Sequence, residues 1–134
     1  IPPPVLECSL MATIELTIDN FEQTLDDHDT VFVDFWAEWC GPCRQFGPVF
    51  EAAAEQHTDI VFGKVDADAQ QELAGHFNVR SIPTLMAIRD NVVLFSQPGA
   101  LPAHALDDLI GQIKDIDMDD VRRQIAEQTA SDPD

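Results

Sequence analysis

Cys40 and Cys43 stand three positions apart in Trp36-Ala37-Glu38-Trp39-Cys40-Gly41-Pro42-Cys43, between an apolar run and a stretch with helical periodicity. Two cysteines so spaced at a helix start lie on one face, a turn apart, and their sulfurs can bond without moving the backbone. Position separates their roles. Cys40 meets the unpaired N–H groups and positive dipole end of the helix, which favour a thiolate and make it the attacking sulfur. Cys43, one turn inside, is expected to be more buried, to keep its proton longer and to resolve the mixed disulfide. Gly41 and Pro42 tune the couple; the proline removes an N–H and fixes φ, which suits a first turn. A histidine there would add positive charge and make the pair more oxidising, so its absence argues for a reductant.

Other chemistries of a Cys pair fit less well. Zinc needs three or four protein ligands; there is no second Cys pair, and His57 and His76 are not at ligand spacing with this one. No metal is therefore expected. A purely structural disulfide would close only a tiny loop and constrain the unfolded chain little. A cysteine hydrolase needs a histidine base, and no residue pattern assigns one.

The elements that position the pair follow from the apolar periodicity. Thr13 to Ile18 alternates as a short strand, and Asp19 or Asn20 caps a helix carrying Phe21 and Leu25. Val31 to Ala37 is nearly all apolar, as in a central strand covered on both faces, and only Asp34 interrupts it. A lone carboxyl in such a strand is costly to ionise, so desolvation should raise its pKa toward neutrality. Phe46, Val49, Phe50 and Ala53 mark a helix from about Cys43 to Gln56; Pro48 inside it removes a backbone hydrogen bond and should kink it.

Ile60 to Val65 reads as another buried strand and Gln70 to His76 as a short helix. Leu85–Ile88 and Val92–Phe95, linked only by Arg89, Asp90 and Asn91, must pair antiparallel. Leu106, Leu109, Ile110 and Ile113 mark a following helix. The order β-α-β-α-β-α-β-β-α predicts an α/β fold with parallel crossovers and a final hairpin that makes the sheet mixed.

The chain's 134 residues support one domain, and a 45% hydrophobic share is ordinary for a globular protein. Seven basic residues against 25 acidic give a net charge of −18, which argues against nucleic-acid and anionic-lipid partners. No run of about 18 apolar residues predicts a membrane span. Residues 1–10, opening Ile1-Pro2-Pro3-Pro4 and containing Cys8, read as a non-native remnant or a flexible arm ahead of Met11. They lack the basic start and apolar stretch of a secretory signal, and a cytoplasmic location is expected. At the other end Met118, Val121 and Ile125 lie on one face of a short acidic helix, with Asp117 or Asp119 as its cap.

The run Val33-Asp34-Phe35-Trp36-Ala37-Glu38-Trp39-Cys40-Gly41-Pro42-Cys43 and the later Ser81-Ile82-Pro83-Thr84-Leu85 resemble the thioredoxin family, over about Ile14 to Lys114. The resemblance implies the thioredoxin fold, a central mixed sheet flanked by helices. The domain is expected over residues 11–116, with an acidic helical extension over 117–134. It implies a dithiol–disulfide oxidoreductase that reduces client proteins. An oxidase or isomerase of the same fold and a non-redox client-binding module are the alternatives.

Carried over residue by residue, the family likeness makes Asp34 the group that exchanges a proton with Cys43, and Lys64 the neighbour that moderates its charge. Pro83 matches a cis-proline facing the sulfurs, and the Ile82 backbone offers hydrogen bonds to an extended client segment. Trp39, Ile82, Pro83, Gly99 and Ala100 correspond to the apolar collar on which clients dock. Trp36 corresponds to a packing residue beside the site, and Pro48 to a structural proline. Arg44 stands where many members have Lys, Ala67 occupies a collar position often filled by a larger residue, and Asp90-Asn91 replaces a Gly-containing turn. No bound cofactor is implied; NADPH and FAD enter only through a partner thioredoxin reductase. A monomer is expected.

Overall fold

The computed structural model describes residues 13–131. The arm read over residues 1–10, with Cys8, lies outside the described residues. In chain order the elements are β1 (Ile14–Glu15), α1 (Phe21–Asp27), β2 (Thr30–Trp36), α2 (Gly41–Gln56) and β3 (Val61–Asp66). They continue with α3 (Gln71–His76), β4 (Thr84–Arg89), β5 (Val92–Pro98), α4 (Ala103–Asp115) and α5 (Met118–Ser131). The strands form one mixed sheet in the order β1-β3-β2-β4-β5.

β2 lies at its centre, and its period of two divides the core. Phe32 joins Phe46, Phe50, Phe62, Leu106 and Ile110 on one face, beneath α2 and α4. Val31, Val33 and Phe35 join Phe21, Leu73 and Met86 on the other, beneath α1 and α3. The expected α4 positions Leu106, Leu109, Ile110 and Ile113 are all buried. Asp34 and Trp36 alternate with Val33 and Phe35, so they face the α2 side.

Parallel pairing holds for β1 with β3 and for β3 with β2, but β4 enters antiparallel to β2. This corrects the expectation that every helix between strands makes a parallel crossover. α3 has six residues, about 9 Å of helix, against about 20 Å for the strand it follows. By itself it does not span the strand, and the chain enters β4 beside the end of β2, with Thr84 opposite Phe35. The active-site ends of β2 and β3 and the start of β4 thereby meet at one edge.

β1 is shorter than its alternation predicts. The Leu16 N–H still donates to the Lys64 carbonyl at 2.9 Å, but the chain then turns away. Asn20 closes that turn: its Oδ1 accepts from the Thr17 N–H at 2.7 Å and its Nδ2 donates to the Glu15 carbonyl. Its side chain is thus engaged ahead of α1 and makes no capping bond to the helix. At the β4–β5 turn Asp90 (φ 52°) and Asn91 (φ 66°) are both left-handed, the conformation a two-residue hairpin turn requires. Both residue types tolerate it, which is how the chain manages without glycine there.

Gly63 answers to a close approach of a different kind. A Cβ at that position would overlap the wholly buried Leu16 side chain, with Cγ only 2.6 Å away. Gly63→Ala is expected to lower stability by about 1–3 kcal/mol, as overpacking does. Urea denaturation checks this; an unchanged midpoint would show that Leu16 yields without cost.

α5 begins as the acidic segment predicts, with Asp117 Oδ1 accepting from the N–H groups of Asp119 and Asp120 at 3.0 and 3.3 Å. Met118 is buried, Val121 half-buried and Ile125 exposed, so the apolar stripe packs only at its start. Arg122 bonds Asp90 at the hairpin turn at 3.0 Å. Arg89 donates to the carbonyls of Ile113, Lys114 and Ile116, closing the end of α4.

Candidate active site

α2 starts at Gly41, two residues earlier than its apolar spacing suggests, because Cys40 is its N-cap. Cys40 has extended backbone angles (φ −88°, ψ 113°), and its Sγ accepts the Cys43 N–H at 3.2 Å. Gly41 and Pro42 form the exposed first turn, where the missing proline N–H leaves nothing unsatisfied. The two sulfurs are bonded to each other, with their Cα atoms 5.2 Å apart. Cys43 is the more buried only narrowly, 2% exposed against 4% for Cys40, since Ala37, Trp36 and Ile82 pack around both. What separates them is the backbone: the Cys40 sulfur sits outside the helix as an acceptor for its free N–H groups, and the Cys43 sulfur does not.

The loop before β4 closes over this pair. The Ile82–Pro83 peptide is cis, and the Ile82 carbonyl oxygen lies 3.7 Å from Cys40 Sγ. Pro83 is buried behind it, and its carbonyl accepts the Gly99 N–H at 2.8 Å. Gly99 has φ 110°, a conformation that favours glycine, and Ala100 follows exposed. Trp39 is 70% exposed, yet it is held: its Nε1 donates to Asp68 Oδ2 at 2.8 Å. Trp39, Ala67, Val79, Arg80 and Ile82 line an open groove of about 530 Å³ beside Cys40. Gly99 and Ala100 do not line it; they stand on the β5 side of the loop.

Asp34 is wholly buried, and neither carboxyl oxygen has a hydrogen-bond partner. Burial penalises its charged form and pushes its pKa up from 3.8 to about 7, while the charge of Lys64 pulls the other way. Lys64 is directly opposite Asp34 on β3. Its Nζ lies 4.8 Å from the Trp36 ring centroid, a cation–π contact that gives Trp36 a part beyond packing. Cys43, Trp36, Gly47, Pro48 and Lys64 line one cavity of about 330 Å³, with Arg44 and Glu51. Pro48 lies within α2 and leaves the Arg44 carbonyl without a helical N–H.

Asp68 and Glu51 are the site residues that sequence reasoning missed. Nothing local marks Asp68, which reaches Trp39 across 29 residues. Glu51 had a signal: Cys43, Gly47 and Glu51 recur every four residues, one stripe of a helix. Among the described residues no group of three His, Cys, Asp or Glu side chains is placed to hold a metal. Among them, too, no helix is long and apolar enough to cross a membrane.

This geometry has known counterparts. The family model described as Thioredoxin matches residues 12–112. The chain is 60% identical over 121 residues to the putative thioredoxin 2 of Streptomyces coelicolor, covering 90% of each. It is 37% identical over 103 residues to a thioredoxin of Bacillus subtilis, covering 76% of this chain and 98% of that one. Among solved structures, a mutant thioredoxin from Halobacterium salinarum NRC-1 superposes with a TM-score of 0.73 at 34% identity, covering 79% of this chain and 95% of the other.

Proposed function

Because the chain belongs to the thioredoxin family and is a thiol–disulfide oxidoreductase, we propose that it works as a reductant of client-protein disulfides through Cys40 and Cys43. The Cys40 thiolate attacks one sulfur of the client disulfide, forming a mixed disulfide and expelling the other client sulfur as thiolate. Asp34 then takes the Cys43 proton, and the Cys43 thiolate attacks Cys40. The second client thiolate leaves, two electrons have passed to the client, and Cys40 and Cys43 are joined. Trp39 and Ile82 form the docking surface, with Pro83, Gly99 and Ala100 shaping its far side. Lys64 tempers the charge on Asp34.

The observation that carries this reading is the Cys43 N–H donated to Cys40 Sγ at the mouth of α2, beside the Ile82 carbonyl. A thiolate on Cys40 gains that hydrogen bond and the helix dipole, which is what a low-pKa attacking sulfur needs. The dithiol is restored by an NADPH-dependent flavoprotein, thioredoxin reductase, so FAD and NADPH belong to that partner. The cytoplasm, whose thiols are kept reduced, is the compartment in which such a cycle runs. Residues 11–116 form the catalytic domain and 117–134 an acidic appendage.

Two measurements test the direction of electron flow. Insulin reduction driven by dithiothreitol is expected to run well above the uncatalysed rate. Titration against glutathione buffers is expected to place the couple on the reducing side of protein disulfide isomerase. A potential at the oxidising end would make the protein an oxidase or isomerase, and background insulin reduction would end the reductase reading.

A further inference from the structure

Three charged side chains converge where β2, β3 and α2 meet, and only one is a cation. Asp34 and Lys64 oppose each other in register, on the face where Phe32 and Phe62 pack. Glu51 lies two turns along α2 from Cys43 and lines the same cavity as Cys43 and Lys64. Thr13 Oγ1 donates to Glu51 Oε2 at 3.2 Å, but Glu51 Oε1 is buried without a hydrogen-bond partner. Both Asp34 oxygens are in the same condition. Lys64 forms no ion pair among the described residues, and a Cβ at Gly47 would stand 3.8 Å from its Nζ. That is an ordinary contact distance, so the lysine head lies directly against α2 at Gly47.

Buried carboxyl oxygens without partners are costly, and the single positive charge of one ammonium cannot fully offset two carboxylates. We infer that Glu51 is a positioning residue for proton exchange at Cys43: it competes with Asp34 for the ammonium of Lys64. Lys64 turns to Asp34 while Asp34 is ionised and to Glu51 once Asp34 has taken the Cys43 proton. In that transfer negative charge passes from Asp34 to the Cys43 sulfur, and Cys43 and Glu51 share one stripe of α2. The ammonium therefore follows the charge toward the sulfur's side. The inference rests on the reading of Asp34 as the base for Cys43.

The other charged groups around the lysine are Arg44 in the same cavity and Glu15 and Asp66 in the adjoining one, behind Thr13 and Trp36. Arg44 and Glu15 are exposed and Asp66 half-buried. Solvent screens them, and they are unchanged in the variants compared below.

Titration of the Asp34 carboxyl by carbon NMR, on the full reduced chain, tests the competition. Glu51→Gln is expected to lower its midpoint by about 0.5–1 pH unit, because Lys64 is left to Asp34 alone. The pH at which insulin reduction reaches half its maximum moves down with it. In a Lys64→Gln background the same substitution is expected to move the midpoint less than half as far. No shift, or equal shifts in both backgrounds, overturns the inference. Should Glu51→Gln fail to fold, Thr13→Val frees Glu51 Oε2 for the lysine and is expected to raise the midpoint; an unchanged or lowered one is equally fatal. Asp34→Asn separates the two failures. A pH profile that ignores Asp34→Asn defeats the base reading, whereas one that responds to it but not to Glu51→Gln defeats only the competition.

Discussion

Cys43→Ser protein mixed with insulin is expected to stop at a covalent adduct through Cys40, while Cys40→Ser forms none. The difference follows from the start of α2. Cys40 is the N-cap, where its sulfur accepts a backbone N–H, and its neighbours Trp39 and Ile82 line the adjoining groove. A serine at 43 leaves that attack intact and removes only the sulfur that would release the client. A serine at 40 removes the nucleophile itself, leaving a sulfur inside the helix behind Trp36 and Ile82. Activity of Cys40→Ser should fall on the order of a thousandfold or more, as loss of a catalytic nucleophile does in other enzymes. Intact-mass measurement on unreduced samples reads both outcomes. An adduct formed by Cys40→Ser through Cys43 would reverse the assignment of the two sulfurs.

The second large effect is on stability, and it grows as pH rises. Asp34 holds its proton up to about pH 7 in the fold, while an unfolded chain releases it near 3.8. Between those values the folded protein binds a proton that the unfolded chain has lost, so stability declines as pH rises through that window and levels off above it. Integrated across the window, the loss is about 4 kcal/mol. Asp34→Asn keeps the shape and cannot ionise. It should therefore match the parent near pH 4 and exceed it by about 4 kcal/mol at pH 8. Urea denaturation of the oxidised proteins at the two pH values measures this directly. A difference that stays constant across the range would show that Asp34 does not carry the proton. On the proposed role of Asp34 as base for Cys43, the same substitution is expected to slow release of the client from Cys40. Stability is thus surrendered at neutral pH for a poised carboxyl, a trade common at active sites.

The chemistry was legible because it is local. A Cys pair one turn apart at a strand-to-helix junction states its spacing, exposure to helix N–H groups and capacity for a disulfide within four residues of chain. The buried character of Asp34 was equally plain, since Val31–Val33 and Phe35 leave a central strand no polar face. The cis peptide before Pro83 was different. It was foreseen only through likeness to a family, because no local preference makes an X–Pro bond cis.

What the residues determined alone is therefore the set of elements, the faces they bury and the identity of the two sulfurs and the buried acid; hydrophobic period and capping act between near neighbours. Tertiary structure decided the rest. β4 runs against β2, a direction that the apolar pattern of neither strand specifies. Trp39 is steadied by Asp68 across 29 residues, and Thr13 meets Glu51 across 38. Lys64 comes opposite Asp34 and into one cavity with Glu51 only when two strands and a helix are packed together. Such meetings depend on which loops close and what the whole core then allows, and no stretch of sequence carries that information by itself.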